Sequence, residues 1–195
     1  MNSTVIDSQV FGPLFSTEEM RNIFSDRNLV QSWLDTEAAL AKAEGTLGII
    51  PADAMKEICS KANADLLDIP SIGEFYKSSI TIVPLLKAFK NVLDNNAGEF
   101  VHWGATSQDI VDTGLVLQIR QAHAVLLQKV QRCEAACYVL AEKYKHVVMA
   151  GRTHVQHALP ITMGFKAAVW ASELSRHVTR LNEITPRLFV GQFSG

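Results

Sequence analysis

The stretch Gly151-Arg152-Thr153-His154-Val155-Gln156-His157-Ala158-Leu159-Pro160 sets a guanidinium, a hydroxyl, a carboxamide and two imidazoles within six consecutive positions. A connection between helices needs only polarity, a Gly and a Pro. This one carries more chemistry than a turn requires. An imidazole titrates near neutral pH, with an ordinary pKa of ~6.5, so it can give or take a proton in general acid–base work. His154 is the first candidate and His157 the second, although both can equally be hydrogen-bonded structure. Arg152 can pair with an anionic substrate or hold the loop through an ion pair. The i, i+3 spacing of the two histidines also suits a metal, but no carboxylate or Cys accompanies them in the loop. Neither a metal nor a cofactor is expected.

A second polar cluster is Val101-His102-Trp103-Gly104-Ala105-Thr106-Ser107-Gln108-Asp109. Gly104 and Ala105 let a backbone approach closely, and Thr106-x-x-Asp109 has the form of a capping box opening a helix. Free N–H groups, hydroxyls and the positive end of that helix can bind a carboxylate or phosphate. His102 can add charge beside such an anion or cap a core.

Helical periodicity dominates the elements that must position these clusters. Leu29, Val30, Trp33, Ala38, Leu40, Ala41 and Leu47 predict a helix over 28–47, stopped by Gly48, with Pro51 opening the next. The β-branched run Ile80–Val83 reads as the approach to a helix beginning at Pro84, and no strand pair with hairpin chemistry is evident. From Thr106 to about Val148, apolar residues recur by alternating threes and fours without a Pro, which predicts a helix about 60 Å long. A further helix follows residue 160, with Thr185-Pro186 predicted to kink it. Cys133 and Cys137, at i and i+4, read as small apolar residues on a buried helix face.

The expected architecture is therefore all-α: an N-terminal helical domain over 1–105, then long antiparallel helices of a bundle over 106–195. Two stripes this long cannot bury themselves, so more chain or other subunits must cover them. The helix also separates its two terminal clusters by about 60 Å. If both serve one site, they come from different subunits.

Composition closes off other classes. A net charge of −2 with no basic stripe gives no reason to expect nucleic acid. No apolar run approaches the ~20 residues that span a bilayer, and no signal peptide is read at the N-terminus. Three cysteines make no even disulfide framework, which favours the cytoplasm.

With those residues in view, the chain resembles the N-terminal half of the fumarase/aspartase superfamily. The similarity rests on His102-Trp103-Gly104-Ala105-Thr106-Ser107-Gln108-Asp109, on Gly151–Pro160 with Ile161-Thr162, on Gln31–Ala41 and on Gly48-Ile49-Ile50-Pro51. The resemblance implies a homotetramer with sites built from several chains, acting on a small di- or tricarboxylate. It implies that Thr106, Ser107 and Thr153 hold substrate carboxylates, that Gln156 and His102 join them in binding, and that His154 assists proton transfer to the leaving group. Among branches, the motifs look most like 3-carboxy-cis,cis-muconate cycloisomerases. Those enzymes tend to carry Trp where this chain has His154, which leans towards a lyase. Adenylosuccinate lyase, a C–N lyase releasing fumarate, is the alternative. That branch tends to have a His-Asp pair where this chain reads Ser78–Pro84, and an Arg-Tyr motif that Phe11–Phe15 does not supply. The superfamily's Ser-Ser-x-Met-Pro-x-Lys-x-Asn loop, bearing the serine base, does not occur in these residues. The chain is accordingly expected to be a fragment inactive alone, and a non-catalytic helical oligomerisation segment is the rival from another class.

Overall fold

The computed structural model describes residues 4–6, 8–75 and 82–195. Of the stretch Ser78–Pro84 set against the adenylosuccinate lyases, residues 78–81 lie outside the described ones. The elements run α1 (Gly12–Phe15), α2 (Glu18–Ile23), α3 (Asp26–Thr46), α4 (Ala52–Lys61), α5 (Ile69–Phe75), α6 (Val83–Asn91) and α7 (Ser107–Lys143), then a hairpin of β1 (Val148–Thr153) and β2 (Gln156–Thr162), then α8 (Met163–Leu188). The fold is all-α but for that hairpin. Two compact units divide the chain: Met1–Ala122 with Phe189–Gly195, and His123–Leu188.

In the first unit, Ser25 caps α3 by accepting a hydrogen bond from the Asn28 amide. Gly48, at φ +73°, follows the end of that helix in a backbone region glycine adopts freely. Pro51 then immediately precedes α4. The core gathers Val30, Trp33 and Leu34 from α3, Ile58 from α4, Leu85 and Phe89 from α6, and Ile110 from α7. Fully burying one such side chain contributes about 1.5–3 kcal/mol. Gly114 permits the crossing of α7 over α3, because a Cβ there would run into the Trp33 ring.

In the second unit, the start of α8 is tied to the end of α7. Met163 and Gly164 donate their amides to the Val147 and Tyr144 carbonyls, each at 2.9 Å, and Thr162 Oγ1 caps α8 by accepting from the Phe165 amide. Further along, the His123 ring donates from Nε2 to the Leu181 carbonyl at 2.9 Å. The apolar face of α8 is largely open, with Phe165 60% and Trp170 42% exposed. Cys133 is exposed and Cys137 half-buried, so the buried helix face predicted for them is not formed by this chain.

The hairpin corrects the sequence expectation that no strand pair was present, and the long helix stops at Lys143 rather than near Val148. The reason is local. Val147 and Val148 are β-branched, and the extended backbone that follows pairs Val148 with Thr162 and Met149 with Ile161. The bulge falls at Gly151, opposite both Ala158 and Leu159, where a Cβ would sit 2.6 Å from the Leu159 carbonyl oxygen. Pro160 is tolerated because each strand of a two-stranded sheet has a free edge. The predicted interruption at Pro186 falls in the last turn of α8.

Candidate active site

The loop before α7 is rigidly specified. His102 lies at φ +66° and Gly104 at φ +67°, a pair of left-handed residues that turns the chain into the helix. His102 Nδ1 meets Glu37 Oε1 of α3 at 2.7 Å, and Glu37 is almost wholly buried. A carboxylate facing Nδ1 favours the tautomer with the hydrogen on that nitrogen, which leaves Nε2 for a ligand. The Phe100 and Trp103 rings flank the turn with centroids 6.0 Å apart.

Asp109 organises the helix start. Its Oδ2 accepts from the Thr106 amide at 2.9 Å and the Gly195 amide at 3.1 Å, and Oδ1 accepts from the Ser194 amide at 2.9 Å. These bonds, the Thr106 amide foremost, hold its carboxyl below the usual carboxylate range. The capping box read from the sequence is thus present through its acidic arm. The Thr106 amide, already donated to Asp109, is therefore not free for an anion. What remains for a ligand are the hydroxyls of Thr106 and Ser107, which have no partner among the described residues. Thr106 is exposed and Ser107 half-buried as the first residue of α7.

The second cluster forms the tip of the hairpin. Thr153 pairs with Gln156, leaving His154 and Val155 as a two-residue turn. Val155 stands at φ +63° and is 90% exposed, an uncommon conformation for a β-branched residue. Arg152, Thr153, His154, Gln156 and His157 are all exposed, and among the described residues none of their side chains has a hydrogen bond or ion pair. Beside the tip, a groove of about 200 Å³ between the hairpin and α8 is lined by Arg152, Ile161, Phe165 and Lys166 among others. The Lys166 ammonium lies 5.2 Å over the Trp170 ring there.

The structure therefore gathers Thr153, His154 and Gln156 on one turn, and His102, Thr106 and Ser107 in one loop, the two groups belonging to different compact units. Two contributors escaped a reading by motif. Asp109 appeared only as half of a cap, and Glu37 only as a letter inside the Gln31–Ala41 match. Their signal was available, since Glu37 interrupts the apolar stripe of Val30, Leu34 and Ala41 at the same spacing. Among the described residues no three His, Cys, Asp or Glu side chains gather as a metal site, and no helix is long and apolar enough to cross a membrane.

A family profile described as lyase matches residues 15–195. The chain is 43% identical over 196 residues to N-acetyl-S-(2-succino)cysteine lyase of Dickeya dadantii, covering 100% of this chain and 43% of that protein. Against adenylosuccinate lyase of Methanothermobacter thermautotrophicus it is 44% identical, covering 93% of this chain and 40% of the relative. The solved β-carboxy-cis,cis-muconate cycloisomerase of Acinetobacter calcoaceticus superposes with a TM-score of 0.92 at 39% identity, covering 96% of this chain and 45% of that one. The chain thus spans well under half the length of the relatives it matches. The family match over residues 15–195 shows that the chain belongs to the fumarase/aspartase lyase superfamily.

Proposed function

We propose that the whole protein catalyses reversible elimination and addition on a di- or tricarboxylate, with His154 as the proton donor to the departing atom. The observation that carries this reading is His154 at the hairpin tip, exposed and without a polar partner among the described residues. Thr106, Ser107 and Thr153 hold substrate carboxylates, with Gln156 and His102 beside them. A base removes the proton next to a carboxylate, and preorganised donors stabilise the aci-carboxylate that forms. His154 then protonates the leaving heteroatom. The base belongs to the superfamily's serine loop, which these 195 residues do not contain.

The 37-residue helix between Thr106 and His154 supports a site shared among subunits of a homotetramer, with residues 106–195 supplying the first helices of its central bundle after a 1–105 domain. Open apolar side chains along α8 support the same assembly. Three free cysteines support a cytoplasmic setting.

The finer reading is cycloisomerase-like, supported by the His102–Asp109 motif and by the solved relative. A second reading, a lyase that expels a nitrogen or sulfur nucleophile and releases fumarate, is favoured by His154 itself and by the two lyase relatives. An ultraviolet assay of the full-length protein against 3-carboxy-cis,cis-muconate, adenylosuccinate and N-acetyl-S-(2-succino)cysteine separates them. Turnover of the first supports the cycloisomerase and of either other the lyase. Turnover of none removes all these activities and leaves the helical oligomerisation segment.

A further inference from the structure

Helix α3 sets Val30, Leu34, Glu37, Ala41 and Glu44 on one buried stripe at spacings of three and four. Two carboxylates therefore stand where the pattern calls for apolar side chains. Glu37 is 1% exposed and its Oε2 has no partner among the described residues, so its recorded hydrogen bond is the 2.7 Å contact of Oε1 with His102. Glu44, two turns along, is also buried, and burial followed by the nearby Glu37 pushes its carboxyl above the ordinary range. Burying an acid is costly, and well-packed apolar residues of similar volume often replace buried ion pairs without loss of stability. Core stability alone gives no reason for Glu37. What Glu37 does is hold an imidazole.

That imidazole is held from two sides. The backbone of His102 is in the left-handed region at φ +66°, and Ala105 donates its amide to the His102 carbonyl at 3.4 Å. The ring keeps 15% exposure, in the same short loop as the hydroxyls of Thr106 and Ser107. A buried carboxylate on Nδ1 is the device by which proteins fix the tautomer and direction of a working histidine.

We propose that Glu37 is a positioning residue of the site, acting through His102 so that Nε2 is presented to the carboxylate-bearing substrate. The inference rests on the elimination and addition reading above. Its test is a cycle in the full-length protein, assayed on whichever of the three substrates it turns over: Glu37→Gln, His102→Asn and the double variant. Each single variant raises KM about tenfold with kcat within about twofold, the lower end of the loss found when the carboxylate orienting a metal-ligating histidine is removed. The double variant is no worse than His102→Asn, because one residue works through the other. An unchanged KM in Glu37→Gln, or losses that add in the double variant, overturns the proposal. Should Glu37→Gln not fold, Glu37→Asp keeps the carboxyl group but withdraws its oxygen from Nδ1, and the same rise in KM is expected. If neither variant folds, Glu37 is purely structural and the proposal fails. A wild-type protein that turns over none of the substrates removes the functional reading together with this inference, whereas an active wild type with an equally active Glu37→Gln removes this inference alone.

Discussion

The loop at 102–109 and the hairpin tip at 152–157 are equally rich in polar side chains, and each holds a non-glycine residue at positive φ, His102 at +66° and Val155 at +63°. Their surroundings differ completely. In the loop, Glu37 fixes the His102 ring and Asp109 collects three backbone amides. At the tip, the side chains of Arg152, Thr153, His154, Gln156 and His157 meet no polar partner among the described residues. A strained conformation persists only when its environment over-determines it. The chain supplies that environment for His102, while Val155 has the strand ladder alone. One polar cluster is thus fixed by the chain's own buried side chains, and the other is left bare by them.

Substitutions sharpen that contrast, the largest expected effect coming from the tip. His154→Ala in the full-length protein lowers kcat by about 10²–10⁴, the usual worth of a general acid. Its melting temperature stays put, because an exposed side chain with no polar partner among the described residues holds nothing together. A large loss of stability in that variant would make the tip structural and erase the contrast. Asp109→Ala acts in the opposite sense by stranding three amides, and a fall in melting temperature of about 5 °C or more is expected by calorimetry. The pH dependence follows from the depressed carboxyl of Asp109. Its folded value lies below its unfolded one, so its contribution is present above the ordinary aspartate range, ~3.9, and is lost as pH falls through the folded value. The stability gap between wild type and Asp109→Ala therefore narrows in acid, and a gap constant with pH would contradict the assignment. The smallest effect is at the turn. Val155→Gly removes the positive-φ strain and stabilises by about 1 kcal/mol in denaturant unfolding. A destabilised Val155→Gly would mean that the conformation carries no strain.

Much of this was legible from residue types and spacing. Helix α3 and its stop at Gly48, the start of α6 beside Pro84 and the long run of α7 follow from apolar periodicity and terminal residues. Both polar clusters were visible because they carry more side-chain chemistry than their positions need. The hairpin was not visible. Its turn is His154-Val155 rather than an Asn-Gly pair, and Gly151 and Pro160 inside the strands read as breakers when one permits a bulge and the other sits on a free edge. The His102–Glu37 contact was hidden because it joins residues 65 apart in sequence. Spacing reports what lies on one element, not what a loop folds back to touch.

In the proposed reading, the loop of one chain works with the hairpin tip of another. Co-expression of two full-length variants tests it directly, one carrying Thr106→Ala with Ser107→Ala and the other His154→Ala, each with little activity alone. If the two clusters come from different subunits, random mixing leaves roughly one site in four with both intact, and activity returns to about a quarter of wild type. If mixed oligomers form and activity stays at the level of the parents, both clusters serve a site within one chain and the account is wrong.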